Sequence, residues 1–367
     1  MTFDYLVRAV ADALRTYVGW LVRPRLLAHY GMWCGLAIVG FVCSGWAIGL
    51  ELPTLEGPLR FSFDTGGGTP TFLTWALLLF GFGLLAWGPW QEWARYRHER
   101  DLLSKKRVLV LEARGLRFEI GRALADAVPD LILGRREPRI LDFRQIYDGE
   151  ITHPERGLEE AISLPNQIRQ AAAGADRGDF TVVYGGLAPV PYTFLTGVLI
   201  DDEGKLFVMD WDRTAERWRA LDAPDDGKRF EVEGLDSPKD SPEAVMAVAV
   251  SYPVLDRNLE SAFPKLPVVR LTLEDGDVNA HWSAEKQAAL AEQFLDAAIA
   301  LEGCGVRRIH LVLAAPNSLV VRLGRAYDRR NLPALVVWQF ERDMTPPYPW
   351  GIEMPLGAIH RPAIVRA

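Results

Sequence analysis

The chain has 367 residues, of which 49% are hydrophobic and 24% are charged, with a formal net charge of −7 at pH 7. These values exclude a disordered chain and a collagen-like repeat, and three cysteines are too few for a small disulfide scaffold. The charge is distributed unevenly, because residues 31–50 and 65–91 contain no Asp, Glu, Lys or Arg. This division predicts a membrane segment joined to a larger, charged soluble domain.

Residues 1–30 carry an amphipathic helical pattern. Apolar side chains recur every three or four residues at Phe3, Leu6, Val10, Leu14, Tyr17 and Leu21. Charged side chains, among them Asp4 and Arg8, fall on the opposite face. The pattern predicts a helix that lies in the membrane interface. A helix that packs against a second protomer would show the same pattern, and that alternative stays open.

Two apolar stretches within residues 31–92 have the length of membrane spans. Gly31–Leu50 and Pro70–Trp90 each contain about 20 residues, which is enough to cross a hydrocarbon core of ~30 Å. Arginines and lysines precede the first stretch and follow the second in the basic connector 93–107, whereas the short loop between them holds only Arg60. The positive-inside rule therefore places both termini in the cytoplasm and the loop outside.

Beyond the connector, apolar strands alternate with helices in two comparable stretches. Residues 108–221 and 244–367 show this alternation, and the polar segment 222–243 reads as a linker between them. The ends of the two stretches match at an offset of 129, with Leu206–Arg213 aligned on Leu335–Arg342. Continuous apolar strands between helices predict an α/β fold with parallel sheets, built as an internal duplication.

No catalytic motif accompanies this fold. The sequence contains no GxGxxG, GxxxxGK[ST], GxSxG or HExxH, and no cysteine–histidine cluster with metal-ligand spacing. Of the six scattered histidines, His310 abuts a buried strand, where a structural imidazole is favoured over a general base. The pattern therefore favours a protein that is not an enzyme and needs no metal or cofactor.

A binding role fits the loops that follow the predicted strands. Ligands of parallel sheets bind beyond the carboxyl ends of the strands, against helix N-termini that attract anions. Four loops occupy that position: Glu112–Gly115, Tyr184–Leu187, Ser251–Pro253 and Ala315–Ser318. The candidate ligand contacts are Arg114, Phe118, Arg144, Tyr184, Gly185, Gly186, Ser251, Tyr252, Pro316, Asn317 and Ser318. The net charge of −7 argues against long nucleic acid but leaves a small anionic ligand compatible.

The C-terminal part carries a family resemblance. The run from Ile309 to Leu356 contains a hydrophobic strand, Ala-Ala-Pro-x-Ser, a helix with Leu-Gly-Arg, an aromatic-rich strand and a later Tyr-Pro. This run resembles the SAVED domain of bacterial anti-phage (CBASS) effectors. The resemblance implies two fused Rossmann-like, CARF-like units, and two N-terminal membrane spans are a known effector arrangement of that family.

The resemblance also implies a function. SAVED proteins bind cyclic oligonucleotides made by a cognate nucleotidyltransferase during phage infection, and binding drives the assembly of homo-oligomers. For this chain the expected ligand is a cyclic trinucleotide, and the expected output is disruption of the bacterial inner membrane and abortive infection. A membrane-tethered α/β enzyme and a protein-binding membrane scaffold remain as alternatives.

Overall fold

The structure is a computed structural model that describes residues 26–43, 47–54, 57–64, 72–115, 123–144, 147–148, 151–201, 204–238, 241–274, 276, 279–328, 330–355 and 361–367. The chain forms two compact units, Met1–Leu102 and Leu103–Ala367. The amphipathic helix expected over residues 1–30 lies almost entirely outside the described residues.

The first unit contains two helices with a β-hairpin between them. Helix α1 spans Leu26–Cys43, and strands β1 (Ala47–Thr54) and β2 (Gly57–Asp64) pair antiparallel. Helix α2 begins at Phe72 and ends at Lys105, so it also takes in most of the basic connector. The prediction of one continuous span over Gly31–Leu50 was wrong at its end, because the helix stops at Cys43 and residues 47–50 belong to β1.

Within the described part of the chain, no helix combines the length and the apolar character that crossing a membrane requires.

The second unit begins with a five-stranded sheet whose order is β4-β3-β7-β8-β9. All neighbouring strands are parallel except β8 and β9. The strands are β3 (Arg107–Arg114), β4 (Arg135–Asp142), β7 (Phe180–Leu187), β8 (Lys205–Asp212) and β9 (Arg217–Ala220). The helices are α3 (Leu124–Ala127), α4 (Glu155–Ala171) and α5 (Val190–Ile200), and the short strands β5 (Tyr147–Asp148) and β6 (Ile151–Thr152) form a separate pair.

A seven-stranded sheet follows, with the order β10-β12-β11-β13-β14-β15-β16. Its strands are β10 (Phe230–Glu233), β11 (Glu243–Ala249), β12 (Val268–Leu273), β13 (Arg308–Ala314), β14 (Ala334–Gln339), β15 (Trp350–Glu353) and β16 (Ala363–Arg366). The helices are α6 (Asp256–Ala262), α7 (Ala284–Gly303) and α8 (Asn317–Ala326). The segment 222–243, expected as a linker, contains β10, which pairs with β12 at the edge of this sheet.

The two sheets repeat one topology. The order β4-β3-β7-β8-β9 recurs as β12-β11-β13-β14-β15, and in both runs four parallel strands are followed by one antiparallel strand. The seven-stranded sheet adds β10 and β16 at its two edges, each antiparallel to its neighbour. Strand burial explains the apolar sequences, since five consecutive residues of β13 are buried between covering layers. The predicted fold class, an α/β protein of two fused Rossmann-like halves, is confirmed.

Helices α5 and α8 join the halves at a pair of glycines. A Cβ atom built on Gly197 would lie 2.1 Å from the carbonyl oxygen of Val321, and one built on Gly324 would lie 2.1 Å from that of Phe194. Only glycine permits this reciprocal backbone approach. One continuous core, with Leu111 and Phe194 from the first half and Val248 and Leu319 from the second, surrounds the crossing.

Candidate functional site

The four predicted loops form one hydrogen-bonded edge of the second unit. The amide of Gly115 donates to the carbonyl of Leu187 at 2.8 Å, which ties the end of β3 to the β7–α5 turn. The amides of Val250 and Ser251 both donate to the carbonyl of Ala314 at 3.0 Å, which ties the end of β11 to the β13–α8 turn. We call this strip of strand ends and turns the carboxyl edge.

Asn317 connects the two halves of the carboxyl edge. Its side-chain Nδ2 donates to the carbonyl of Gly186 at 3.0 Å and to that of Ala188 at 3.2 Å. Asn317 is the first residue of α8, whereas Gly186 and Ala188 lie at the end of β7 and in the turn before α5. Two candidate residues from different halves, Asn317 and Gly186, are therefore in direct contact.

Ser318 is held in a buried polar cluster beneath the turn. Its Oγ accepts a hydrogen bond from Gln287 Nε2 at 2.9 Å, and its backbone amide donates to Asp210 Oδ2 at 3.2 Å. The same Asp210 oxygen lies 3.5 Å from His281 Nε2. Because all four side chains are buried, they fix the start of α8 and are not exposed to a ligand.

Sequence reasoning did not identify Asp210, His281 or Gln287 as members of this site. The one signal available was a carboxylate at the end of an apolar strand, since Asp210 follows the buried residues Val208 and Met209 of β8. Asp212, two residues later, instead accepts from the amides of Thr214 and Ala215 in the β8–β9 turn.

Tyr184, Gly185 and Gly186 lie in the second half of β7, directly before the β7–α5 turn. Tyr184 is fully buried, and burial raises the pKa of its hydroxyl. A Cβ on Gly186 would lie 2.7 Å from both Tyr184 Oη and Ala113 Cβ, so close packing requires glycine at this position. In this structure the Tyr184 ring therefore supports the turn from below.

Both candidate arginines are paired with carboxylates at the end of the five-stranded sheet. Arg114 Nε donates to Glu112 Oε1 at 2.7 Å, and the other oxygen of buried Glu112 accepts from the amide of Leu124. Exposed Arg144 donates from Nε to Asp142 Oδ1 at 2.8 Å, and this hydrogen bond lowers the pKa of Asp142. Because Arg114 and Asp142 are register partners across β3 and β4, both cations lie at the same sheet end.

The remaining candidates differ in accessibility. Tyr252 follows β11 with 59% of its surface exposed, so its ring is available for stacking, while Ser251 and Pro316 are half-buried. Phe118 lies outside the described residues.

The carboxyl edge offers groups that recognise bases and phosphates. The exposed Arg144, the half-buried Arg114, the exposed Tyr252 ring and the half-buried Ser251 hydroxyl suit an anionic nucleotide ligand. Among the residues that the structure describes, no cluster of three or more His, Cys, Asp or Glu side chains is arranged to hold a metal ion.

Comparison with known families gives two matches that together cover most of the chain. The model of the SMODS-associated and fused to various effectors sensor domain (SAVED) matches residues 164–354. The model of the SAVED-fused 2TM effector domain matches residues 1–158. No curated protein matches the chain.

Solved structures with similarity include two receptors. The Acinetobacter baumannii Cap4 SAVED/CARF-domain containing receptor with the cyclic trinucleotide 2'3'3'-cAAA is 11% identical, with a TM-score of 0.43 over 77% of this chain and 58% of that one. The Moraxella osloensis Cap4 SAVED/CARF-domain containing receptor is 13% identical, with a TM-score of 0.40 over 69% of this chain and 49% of that one. The chain thus spans about half the length of each receptor.

Proposed function

The chain belongs to the SAVED family of sensor domains, and from this premise we propose that it binds a cyclic oligonucleotide at the carboxyl edge. The N-terminal part, which matches the SAVED-fused 2TM effector domain, then acts on the bacterial inner membrane. In this proposal the chain is a sensor and effector in anti-phage defence and carries out no chemistry itself.

The contact of Asn317 with Gly186 and Ala188 carries the proposal. It joins the turns of two pseudo-equivalent halves into one surface, whereas a mononucleotide needs only one such turn. A cyclic oligonucleotide repeats its bases and phosphates around a ring, so two related turns can each contact one of its units. A cyclic trinucleotide is the ligand that we propose.

The roles of individual residues follow from their accessibility. We assign phosphate contacts to Arg114 and Arg144, whose carboxylate partners hold both guanidinium groups at the same end of the five-stranded sheet. We assign base stacking to the exposed ring of Tyr252 and hydrogen bonds with base edges to Ser251 and Asn317.

We assign the effect on the membrane to the N-terminal unit. The match of residues 1–158 to a 2TM effector domain supports two spans within residues 31–92, and the flanking basic residues favour a cytoplasmic position for both termini and the sensor. Ligand binding that favours homo-oligomers would bring several pairs of spans together, and glycine-bearing helices pack laterally in lipid. This concentration of spans disrupts the membrane and arrests the infected cell.

The test is a ligand panel on the full chain in detergent or nanodiscs. Cyclic di-, tri- and tetranucleotides are added in turn, and the melting temperature Tm and the dissociation constant Kd are measured. A bound ligand stabilises the protein by RT ln(1 + [L]/Kd), so a cyclic trinucleotide should raise the Tm with increasing concentration. Absence of a shift across the panel would contradict the proposal, and turnover of the nucleotide would favour the enzyme alternative.

Substitution of Asn317 identifies the site. Asn317→Ala removes the two hydrogen bonds between the turns, and we expect about tenfold weaker binding of the trinucleotide. Asn166→Ala, on the exposed surface of α4, is the matched control and should bind as the wild type does. Equal binding by Asn317→Ala and the wild type would exclude the carboxyl edge as the site.

A further inference from the structure

Two hydrogen bonds at the carboxyl edge link the two halves, and each half donates one of them to the other. The amide of Ser318, in the first turn of α8, donates to Asp210 Oδ2 at 3.2 Å. The amide of Val190, the first residue of α5, donates to Gln339 Oε1 at 3.2 Å. Each helix is therefore capped by a side chain from the last parallel strand of the other half, β8 in one case and β14 in the other.

The acceptors occupy equivalent positions of the repeat. Asp210 and Gln339 are separated by 129 residues, which is the offset that aligns the two stretches of sequence. Val190 and Ser318 lie within one residue of equivalence at the starts of α5 and α8. The crossing is thus a reciprocal feature of the duplicated fold.

Prolines explain why these helices take their caps from a distance. First-turn amides have no acceptor within their own helix and usually bond to the side chain of the N-cap residue. The N-cap residues here are Pro189 and Pro316, and neither supplies a side-chain acceptor. The acceptor must therefore come from elsewhere in the fold, and in both helices it comes from the opposite half.

We propose that Asp210 and Gln339 are positioning residues for ligand binding, each of which fixes the turn of the opposite half. This inference rests on the proposed ligand site at the carboxyl edge. With Asn317 as a third connection, the two turns form one preorganised surface, and neither moves without straining the other. A preorganised surface loses less conformational entropy on binding, so loss of a cross-cap weakens binding even where the substituted residue does not touch the ligand.

Gln339 offers the cleaner test, because Asp210 is buried beside His281 and its removal threatens folding. Gln339→Met keeps the length of the side chain but has no oxygen for the Val190 amide. Gln339→Glu keeps an acceptor, but it loses the Nε2 that donates to the carbonyl of Phe340 and adds a negative charge beside Glu341. Gln170→Met, on the exposed surface of α4, is the matched control. The full chain is titrated with a fluorescent cyclic trinucleotide, and hydrogen exchange of the α5 first turn is followed without ligand.

We expect Gln339→Met to weaken binding about threefold to tenfold, to lower the Tm by only about 2–4 °C and to speed exchange of the Val190 amide. We expect Gln339→Glu to restore the slow exchange of the Val190 amide but only part of the affinity, because its charge opposes an anionic ligand, and we expect Gln170→Met to match the wild type. Faster exchange with unchanged affinity would assign the cap a structural role only and overturn the inference.

The two proposals fail differently. If the wild type binds no cyclic oligonucleotide, the proposed function fails and this inference fails with it. If the wild type binds but Gln339→Met binds equally well, the positioning role alone is overturned and the ligand site stands.

Discussion

In each unit of the molecule two helices cross at a pair of glycines, but the side chains around the two crossings differ in their exposure. In the first unit a Cβ on Gly35 would lie 2.7 Å from the carbonyl oxygen of Gly81. In the second unit the equivalent distances at Gly197 and Gly324 are 2.1 Å. The α5–α8 crossing is surrounded by buried side chains, whereas α1 and α2 leave Trp33 and Leu79 largely exposed.

This difference in exposure indicates a different role for each helix crossing. Around α5 and α8 the apolar surface is used in the core, so the glycines fix the junction of two halves. Around α1 and α2, described side chains such as Trp33 and Leu79 leave apolar areas exposed, and large exposed apolar areas indicate an apolar partner. Lipid is the partner that the proposed function supplies, and small residues are the usual contact between helices there.

Breaking the α5–α8 crossing should have the largest effect. Gly197→Ala puts a methyl group against the backbone of α8, which has no flexible end that can move aside. We expect the second unit to lose about 3 kcal/mol of stability and about 10 °C in Tm. Thermal unfolding of the full chain, followed by circular dichroism, measures the change.

A glycine in open space provides the control for that substitution. A Cβ on Gly303, at the end of α7, would meet no atom within 4 Å, so Gly303→Ala should change the Tm little. If the Tm of Gly197→Ala lies within about 2 °C of this control, the α5–α8 crossing accommodates a methyl group with little loss in the free energy of unfolding. The contrast between the helix crossings of the two units would then not hold.

The first unit is tested by its output and not by its stability. Gly35→Ala opposes the approach of α1 to α2, while Gly40→Ala has no atom within 4 Å to disturb. We expect Gly35→Ala to change ligand-triggered dye release from vesicles roughly threefold to tenfold, with ligand affinity unchanged. Equal release by the two variants would show that this crossing has no part in the effect on the membrane.

Sequence patterns predicted the α/β halves because apolar strands buried on both faces have few alternative interpretations. The aligned segments Leu206–Arg213 and Leu335–Arg342 begin in strands that the structure places at equivalent positions, β8 and β14. The first apolar stretch was misjudged because hydropathy alone does not separate a helix ending at Cys43 from the strand that begins at Ala47.

The four loops were predictable for a related reason, since parallel strands place their carboxyl ends on one edge. The cross-caps were not. Asp210 bonds to a residue 108 positions away and Gln339 to one 149 positions away, and no local pattern indicates either pair. Only the packing of the two halves brings these groups together.

The smallest expected effect concerns His310, inside the closed core of the second unit. Its Nδ1 faces Trp338 Nε1 at 3.2 Å and its Nε2 faces Glu243 Oε2 at 3.1 Å, so both ring nitrogens have partners, in agreement with a structural imidazole. Burial lowers the pKa of His310 below its usual 6.5, although Glu243 opposes the shift.

The direction of the pH effect follows from where each state takes up its proton. The unfolded chain protonates His310 near pH 6.5, whereas the folded chain does so only at lower pH. Protonation therefore favours the unfolded chain, and the free energy of unfolding falls as the pH drops below 6.5. We expect the Tm to fall less between pH 7.5 and 5.5 in His310→Asn than in the wild type. Gly303→Ala, which replaces no titratable group, is the control and should keep the wild-type pH dependence. If the Tm of His310→Asn instead depends on pH as the wild-type Tm does, the imidazole is as hydrated in the folded chain as in the unfolded chain. The core of the second unit would then be accessible to solvent at His310, as the apolar surface of the first unit is.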